Sequence, residues 1–468
     1  MPDRRQKAII SFGGGWATDF GPSYTLAPQN GALVVPFLLS ADNMLYELDG
    51  GLHKVGGSTR FNTTAISSGT NTIHGFLDYW RQGTAGSETQ LVFLYGGTQL
   101  WSMDVPWTAT TSRKTGLEDS KEPCFAVFND KILWASTSGI DVPQTWDGAA
   151  ASTSNLSAGA PNFDFMVSHR NRVWAAGVDS NPSRLYYSNS LDETDWTGAG
   201  AGSIDIDPSD GDRIVGLRSH RNELLVFKGP NRLSIHRITG SSPTGADAFA
   251  RTVFVIGVGG INHNTIIGIG DDVAFASPRG IHSLAATASF GDYVEAFLCR
   301  PILSQYQDNL NHNVLNTGWG VNYFTKGIAL WSFAPSGSTA KSVCLGYDYR
   351  FQPGRWFSLG VNSAYANCHS LGVIQINKVH RLHAGLTTGY IQRIVDVSDR
   401  SLPGSIAYTF NAKLPFLNFG SSAYLKNAEG GFLSLLPKGN YNLTAGWTRD
   451  TSTEDTASVS QSGGDTLG

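Results

Sequence analysis

Charge is scarce in this sequence. Asp, Glu, Lys and Arg make up 15% of its 468 residues, and the formal net charge is −4. A protein that grips nucleic acid over its whole surface needs a basic excess, so the balance argues against that class. A near-neutral wall past which DNA slides without sticking is still compatible with it. Cysteine is rare as well: Cys124, Cys299, Cys344 and Cys368 are widely scattered and never fall in a Cys-x-x-Cys pair. Free buried thiols are expected, not a disulfide framework. Long apolar runs are missing. Ala32–Leu39 spans 8 residues and holds Pro36, too little to cross a bilayer. Met1–Lys7 is basic, but only Ala8–Phe12 follows before three glycines, which is short for a signal-peptide core. The expectation is a chain with neither a cleavable leader nor a membrane span. What is abundant is glycine, 54 residues, and aromatics, 11%. Tight turns and packed sheets use that mixture, whereas disorder needs high charge and few aromatics.

The length exceeds what one compact core holds, so several domains or a ring-like repeat is the starting expectation. A repeat is visible. Val167-Ser-His-Arg-Asn-Arg-Val-Trp174 is echoed by Leu217-Arg-Ser-His-Arg-Asn-Glu-Leu-Leu-Val-Phe227, each a polar Ser-His-Arg-Asn run between apolar runs. Each copy leads to an Arg-Leu pair, Arg184-Leu185 and Arg232-Leu233, opening a further apolar run. Strand, polar turn, strand, loop, strand describes an antiparallel meander. Anchoring on the residue before the second apolar run gives seven units, at Gln90, Lys131, Arg172, Glu223, Asp272, Gly327 and Lys378. Their spacings are 41, 41, 51, 49, 55 and 51 residues. A period of roughly 40–50 residues made of short strands is that of a four-stranded propeller blade. The expected fold is therefore all-β, a propeller of about seven blades over 71–395. A pair of β-sandwiches is the competing reading.

Outside the repeat, 1–70 and 396–468 exceed what ring closure needs and are expected to form a β-rich accessory or platform domain together. Gly50–Gly57 reads as a turn-rich crossing over a neighbouring domain. Tyr293–Tyr306, broken by Pro301, reads as one or two short helices inserted between units within 290–315. Beyond Asp396, Ile406–Phe410, Ala423–Leu425, Gly431–Leu436 and Tyr441–Trp447 read as another β-layer. Thr451–Gly468 is Ser, Thr, Asp and Gly with little to bury, and is expected to be a mobile or docked tail.

Candidate chemistry is thin. Gly257-Val-Gly259-Gly260 follows a strand-like Thr252–Ile256, but Asn262 stands where a dinucleotide fingerprint needs glycine. Asp205-Ile-Asp207-Pro-Ser-Asp210-Gly211-Asp212 has the look of a calcium loop, yet its glycine falls one place late and no glutamate closes it. An Asp/Gly turn is the preferred account. His380 and His383, near Cys368 and His369, are spaced to diverge on a strand and are read as solvated. Ser190–Trp196 is one residue short of the Asp-box turn of sialidase-type propellers. The arginines of the two Ser-His-Arg-Asn turns are placed to meet a phosphate, but Asn171 and Asn222 are expected simply to take the turn geometry. No Gly-x-Ser-x-Gly elbow and no Walker loop occur. No catalytic, cofactor-binding or metal-ligating residue is assigned, no cofactor is expected, and the chain is read as non-enzymatic.

Gly211-Asp-Arg-Ile-Val-Gly-Leu217, Leu224–Lys228 and Leu233-Ser-Ile-His-Arg-Ile-Thr-Gly240 carry a resemblance, with Arg184-Leu-Tyr-Tyr-Ser188, Trp196 and Gly50–Gly57. Over residues 40–300 the chain resembles the tail hub or nozzle proteins of short-tailed bacteriophages, also called packaged-DNA-stabilisation or tail accessory proteins. The resemblance implies a virion protein, made in the host cytoplasm, that forms a six-fold ring below the portal and its adaptor. Each subunit of that group carries a propeller on the outside and a β-rich platform near the axis. The ring retains the packaged genome, conducts double-stranded DNA without reading its sequence, and meets tail fibres or tailspikes. No functional residue is carried over. A propeller glycosidase of sialidase type and a receptor-binding tail component are the alternatives.

Overall fold

The computed structural model describes residues 8–9, 15–19, 28–29, 32–34, 37–48, 51–83, 87–104, 107, 110–290, 296–359, 368–395, 410–413, 441–447 and 455–461. Its central feature is a seven-bladed β-propeller. Blade one is Ile73–Arg81, Thr89–Gly96, Gln99–Asp104 and Thr110–Lys114. Blade two is Pro123–Phe128, Lys131–Ser136, Gln144–Trp146 and Ser154–Asn155. Blade three is Phe165–His169, Arg172–Ala176, Arg184–Tyr187 and Gly202–Asp205; blade four is Arg213–His220, Glu223–Gly229, Ser234–Thr239 and Ala250–Ile256. Blade five has three strands, Ile267–Ile269, Asp272–Ala276 and Ile281–Ser283, and a bridge from His282 to Phe297 extends its outer edge. Blade six is built on Trp319–Tyr323, Ile328–Phe333, Val343–Asp348 and Arg355–Leu359, and blade seven on Cys368–Ile376, Val379–Leu386 and Ile391–Val395. Within each blade consecutive strands are antiparallel.

The anchors of the sequence repeat land where second strands begin. Lys131, Arg172, Glu223 and Asp272 open theirs; Gln90 lies one place inside, and Gly327 and Lys378 stand one place before. In blades two to five and in blade seven the turns ahead of them are two-residue hairpins. Asn129-Asp130, Arg170-Asn171 and Asn377-Lys378 are left-handed at both residues. In blade four Arg221 and Asn222 form the turn, with only Arg221 left-handed.

The core lies between blades. Alternate side chains of a second strand serve opposite neighbours, because a strand turns successive residues to opposite faces. In Glu223–Gly229, Leu224 and Val226 join a cluster with blades two and three, while Leu225 and Phe227 join blade five through Val273 and Phe275. In blade one, Leu91, Phe93 and Tyr95 pack on Ile132 and Trp134, and Val92 and Leu94 pack on Ile374 and Ile391 of blade seven. At roughly 1.5–3 kcal/mol per buried large apolar side chain, a blade without both neighbours forfeits most of its stabilisation.

The ring closes through the chain's beginning. Gly56–Arg60 pairs antiparallel with Ile391–Val395 and is the outer strand of blade seven, so the propeller starts near residue 56 and not at 71. Of the segment read as a crossing over a neighbouring domain, the described part 51–57 does otherwise: Leu52–Lys54 folds back on Met44–Tyr46, and closure follows at once. Ser40–Asp42 then runs parallel to Arg355–Leu359, and Asn411–Lys413 pairs antiparallel with Ser40–Asp42, making blade six a six-stranded sheet. Ala8–Ile9, Pro28–Gln29 and Ala32–Val34 form a small separate sheet.

The helical insertion starts earlier than expected: Leu284–Phe290 directly follows the third strand of blade five and lies ahead of Tyr293–Tyr306, and only Leu303–Asn309 overlaps that span. Pro301 sits near the start of a 3-10 turn, Arg300–Ile302, where its missing N–H goes unneeded. Residues 421–468 form a second compact unit. In it Tyr441–Trp447 pairs with Asp455–Gln461, so part of the tail expected to be mobile is a strand. Ile406–Tyr408, Thr409, Ala423–Leu425 and Gly431–Leu436 lie outside the described residues. Among the described residues no helix is long and apolar enough to cross a membrane.

Candidate functional site

The first strands of neighbouring blades pack on one another around the axis. At the end where these strands begin, side chains from four blades form a continuous chain. His74, second residue of blade one, donates from Nε2 to the Asp119 carboxylate at 2.9 Å and lies 3.5 Å from His369, second residue of blade seven. His369 stands 3.7 Å from Glu122, which precedes blade two, and Glu122 takes a bond of 3.2 Å from Lys341 of blade six. Lys341 Nζ also donates to Thr317 O at 2.6 Å. Asp119 accepts from the Thr70 and Ser120 N–H groups as well, at 2.6 and 2.7 Å.

Burial sets the protonation of this chain. It pushes His74 down to about 4, against the pull of Asp119, and pushes His369 well below the usual imidazole range. It pushes the Glu122 carboxyl up and the Lys341 ammonium down, each opposed by the other's charge. The imidazoles are neutral at pH 7. Every link is engaged with another, which makes the chain a clamp on the ring.

Below it the axis is filled. Trp319 of blade six donates its indole N–H to Leu371 O of blade seven at 2.7 Å. A Cβ on Gly75 of blade one would lie 2.6 Å from Pro123 and 2.7 Å from Trp319. Asn264, ahead of blade five, donates across the axis to Pro123 O at 3.1 Å. His263 stacks on Phe165 of blade three with ring centroids 5.2 Å apart. The propeller's own axis is therefore plugged at this level.

At the opposite end the hairpin turns of blades two, three and four meet around an open cleft of about 450 Å³. Both Ser-His-Arg-Asn runs, 51 residues apart in sequence, contribute: Arg170 and Asn171 from one, Arg221 and Asn222 from the other. His169 Nδ1 meets Ser219 Oγ at 2.9 Å, and Ser168 Oγ donates to Val127 O at 2.8 Å, locking the three first strands together. His169 is buried and pushed down to about 4, chiefly by desolvation and further by Arg170, so it is neutral. Asn129 donates to Leu191 O at 2.8 Å and to Glu193, whose buried carboxylate is neutralised by Lys131 Nζ at 2.6 Å.

The remaining sequence candidates resolve into structure. In Asp205–Asp212 each carboxylate has a protein partner. Asp205 pairs with Arg184, Asp207 with Arg251, and Asp210 with the fully buried Lys228, while Asp212 accepts three N–H groups from Asn231, Arg232 and Leu233. That loop is a knot tied by internal cations. Gly259 lets the chain pass over blade four, since a Cβ there would stand 2.0 Å from Lys228 O. Ser190–Trp196 is a turn, Asp195 accepting the Gly198 N–H at 2.7 Å and Trp196 buried beside Phe163. All four cysteines are free and buried.

The reading of His380 and His383 as solvated fails for His383. It is fully buried, edge-on to Phe61 at 5.0 Å, and pushed down to about 3. The two do diverge, since His380 faces Phe324 instead. Among the described residues no group of three or more His, Cys, Asp or Glu is placed to hold a metal. The axial clamp was not foreseen. Its one signal was that units one and seven both place histidine second in their first strand, in Ile73-His74 and Cys368-His369.

No family model matches the chain, and no curated protein matches it significantly. Among solved structures it is similar to the propeller domain of Cps50 (Swd1) from Myceliophteria thermophila, with 14% identity and a TM-score of 0.40. That match covers 72% of this chain and 100% of the other. A chain of the mitotic checkpoint complex is similar at 9% identity and a TM-score of 0.40, covering 76% of this chain and 99% of its own. The propeller assignment itself stands on the strand pairing.

Proposed function

We propose that the chain is a virion structural protein, the subunit of a six-fold tail nozzle ring of a short-tailed phage. The observation that supports this best is the convergence of both chain ends on blade six. Ser40–Asp42 extends its outer edge and Asn411–Lys413 pairs onto that strand, which suits a propeller that carries a platform built from both ends. In this reading the DNA path runs between subunits, along the ring's axis, because the propeller's own axis is filled by Trp319, Pro123 and Asn264. Conduction then requires a wall that does not hold DNA. A dense lysine and arginine lining would bind through counterion release, and a chain with net charge −4 avoids it.

The work is mechanical. The ring prolongs the channel below portal and adaptor, retains the packaged genome, contacts tail fibres or tailspikes, and opens a path when the particle adsorbs. Negative-stain imaging of the purified protein, alone and with portal and adaptor, tests it. Six-fold rings, free or adaptor-dependent, are expected. Trimers that bind host cells unaided, or hydrolysis of host polysaccharide by the purified chain, would overturn it.

A further inference from the structure

We propose that the cleft between the hairpin turns of blades two, three and four is a docking site for an acidic peptide segment of a partner protein, one that sets apolar residues beside its carboxylates. This goes beyond the ring reading and holds whether or not that reading does.

The charge argument comes first. Most arginines of the propeller that lie near carboxylates are paired with them: Arg184 with Asp205, Arg213 with Asp164, Arg237 with Glu223, Arg251 with Asp207, Arg350 with Asp348. Arg170 and Arg221 make no ion pair among the described residues, and Arg221 reaches only the Asp271 carbonyl, at 3.4 Å. Among the described residues no carboxylate lines the cleft. Of those on neighbouring positions, Asp130 is engaged by Tyr79 and Gln82, Glu193 by Lys131 and Asn129, Asp192 by Thr194 and Glu223 by Arg237, while the Asp271 carboxylate makes no ion pair with Arg221 among the described residues. Two exposed guanidiniums on adjacent blades therefore face a space without a counter-charge, over a floor held rigid by the His169–Ser219 and Ser168–Val127 bonds.

The rim favours a peptide over a bare anion. Val127 is 44% exposed and Leu191 is 63% exposed, both on the cleft wall. Leu191 is held in the left-handed region at φ 59°, its N–H bonded to Asn171 O at 2.7 Å. A leucine is strained there, and such strain persists where surrounding structure enforces it, commonly at binding surfaces. An inorganic phosphate would leave both apolar side chains unused. Duplex DNA, which needs many phosphate contacts, would find two cations. An acidic segment with interspersed Leu or Val uses both features, and the exposed amides of Asn171 and Asn222 stand ready for its backbone.

Fluorescence polarisation with the full chain tests this. The probes are a labelled decapeptide alternating Asp and Leu, the same peptide with Asn for Asp, and one with Gly for Leu, with inorganic phosphate and a short DNA duplex as competitors. The Asp–Leu peptide is expected to bind at least tenfold more tightly than either control. Arg170→Ala with Arg221→Ala should abolish that advantage, and Leu191→Ala should weaken binding severalfold, with thermal melting unchanged. Arg170→Glu with Arg221→Glu should reverse the preference toward a Lys–Leu peptide. Equal binding of the Asp and Asn peptides, no loss in the double alanine variant, or displacement by millimolar phosphate or by DNA at lower concentration than by peptide would each overturn the proposal.

Discussion

Lys341 of blade six donates to Glu122 at the head of blade two over 3.2 Å, although 219 positions separate them and two blades intervene around the ring. The Lys341 ammonium is buried and the Glu122 side chain is only 14% exposed, and the ammonium is also held by Thr317 O. A buried pair contributes little net stability against a well-packed apolar substitute, but breaking one strands a charge. Lys341→Met is expected to destabilise the protein by roughly 3–5 kcal/mol in a denaturant titration. Adding Glu122→Gln should recover a sizeable part, because the uncompensated carboxylate is gone. If the double variant is no better than the single, the pair is not the clamp described.

Ring closure rests on five residues from near the start of the chain. Thr59 is paired with Arg393, and the Phe61 N–H donates to Ile391 O at 2.7 Å, so by strand alternation the Thr59 N–H points the same way. Proline there removes a ladder donor. Thr59→Pro is expected to cost about 3 kcal/mol and to raise amide exchange along Ile391–Val395 before any other blade. Uniform exchange across all seven blades would mean that closure is not the local weak point.

Much of this fold was legible because a propeller repeats its turn chemistry. Ser-His-Arg-Asn, stated twice, fixed the hairpin of blades three and four, and the same phase then recovered the second strands at Lys131, Glu223 and Asp272. Outer strands were the hard part. Ser154–Asn155 and Gly202–Asp205 are short, polar and half solvent-exposed, so they carry no apolar period to detect. Gly56–Arg60 was hidden for another reason. It holds no large apolar residue, and its place is set by Ile391–Val395, more than 300 positions away. The axial clamp was illegible on the same ground: His74, Asp119, Glu122, Lys341 and His369 share no local motif, and only the ring's closure brings blades six, seven, one and two together. The cleft was half legible. Its arginines stood out in sequence, but that Val127 and Leu191 flank them depends on how neighbouring blades abut.

The knot at Asp205–Asp212 separates a calcium loop from an internal ion pair. Asp212 Oδ atoms accept three backbone N–H bonds of 2.7, 2.9 and 2.7 Å, and Asp210 holds Lys228, whose side chain is fully buried. Asp212→Ala leaves three donors without an acceptor and is expected to destabilise by on the order of 3 kcal/mol or more. Asp210→Asn, which strands the Lys228 charge, should cost roughly 3–5 kcal/mol. Millimolar calcium should leave the melting temperature of the unaltered protein unchanged. A calcium-dependent rise abolished by Asp210→Asn would overturn the internal-pair account.

Acid should loosen the whole ring, and the sign follows from its histidines. Burial pushes His74 and His169 down to about 4, and His282 and His383 down to about 3. The unfolded chain, with imidazoles near 6.5, therefore binds more protons than the folded one below that pH. Stability is full above about 6.5 and falls as pH drops toward the folded values, by up to about 1.4 kcal/mol per pH unit for each histidine. Asp164 opposes this. Burial raises it to about 7, so it gains a proton on folding and adds stability as pH falls through 7. Burial raises Asp78, Glu122 and Asp141 too, and they act in the same direction as Asp164, but the buried imidazoles set the sign of the fall. Melting followed by circular dichroism should show the transition temperature falling steadily from pH 7 to 4.5. His383 sits wholly inside blade seven, where its Nδ1 bonds only the Arg381 carbonyl, so His383→Gln removes one titration without touching the axis. That variant should lose less stability than the unaltered protein between pH 7 and 5, even if it starts lower. Parallel curves would mean that His383 takes up its proton equally in the folded and unfolded states and that the acid sensitivity lies elsewhere.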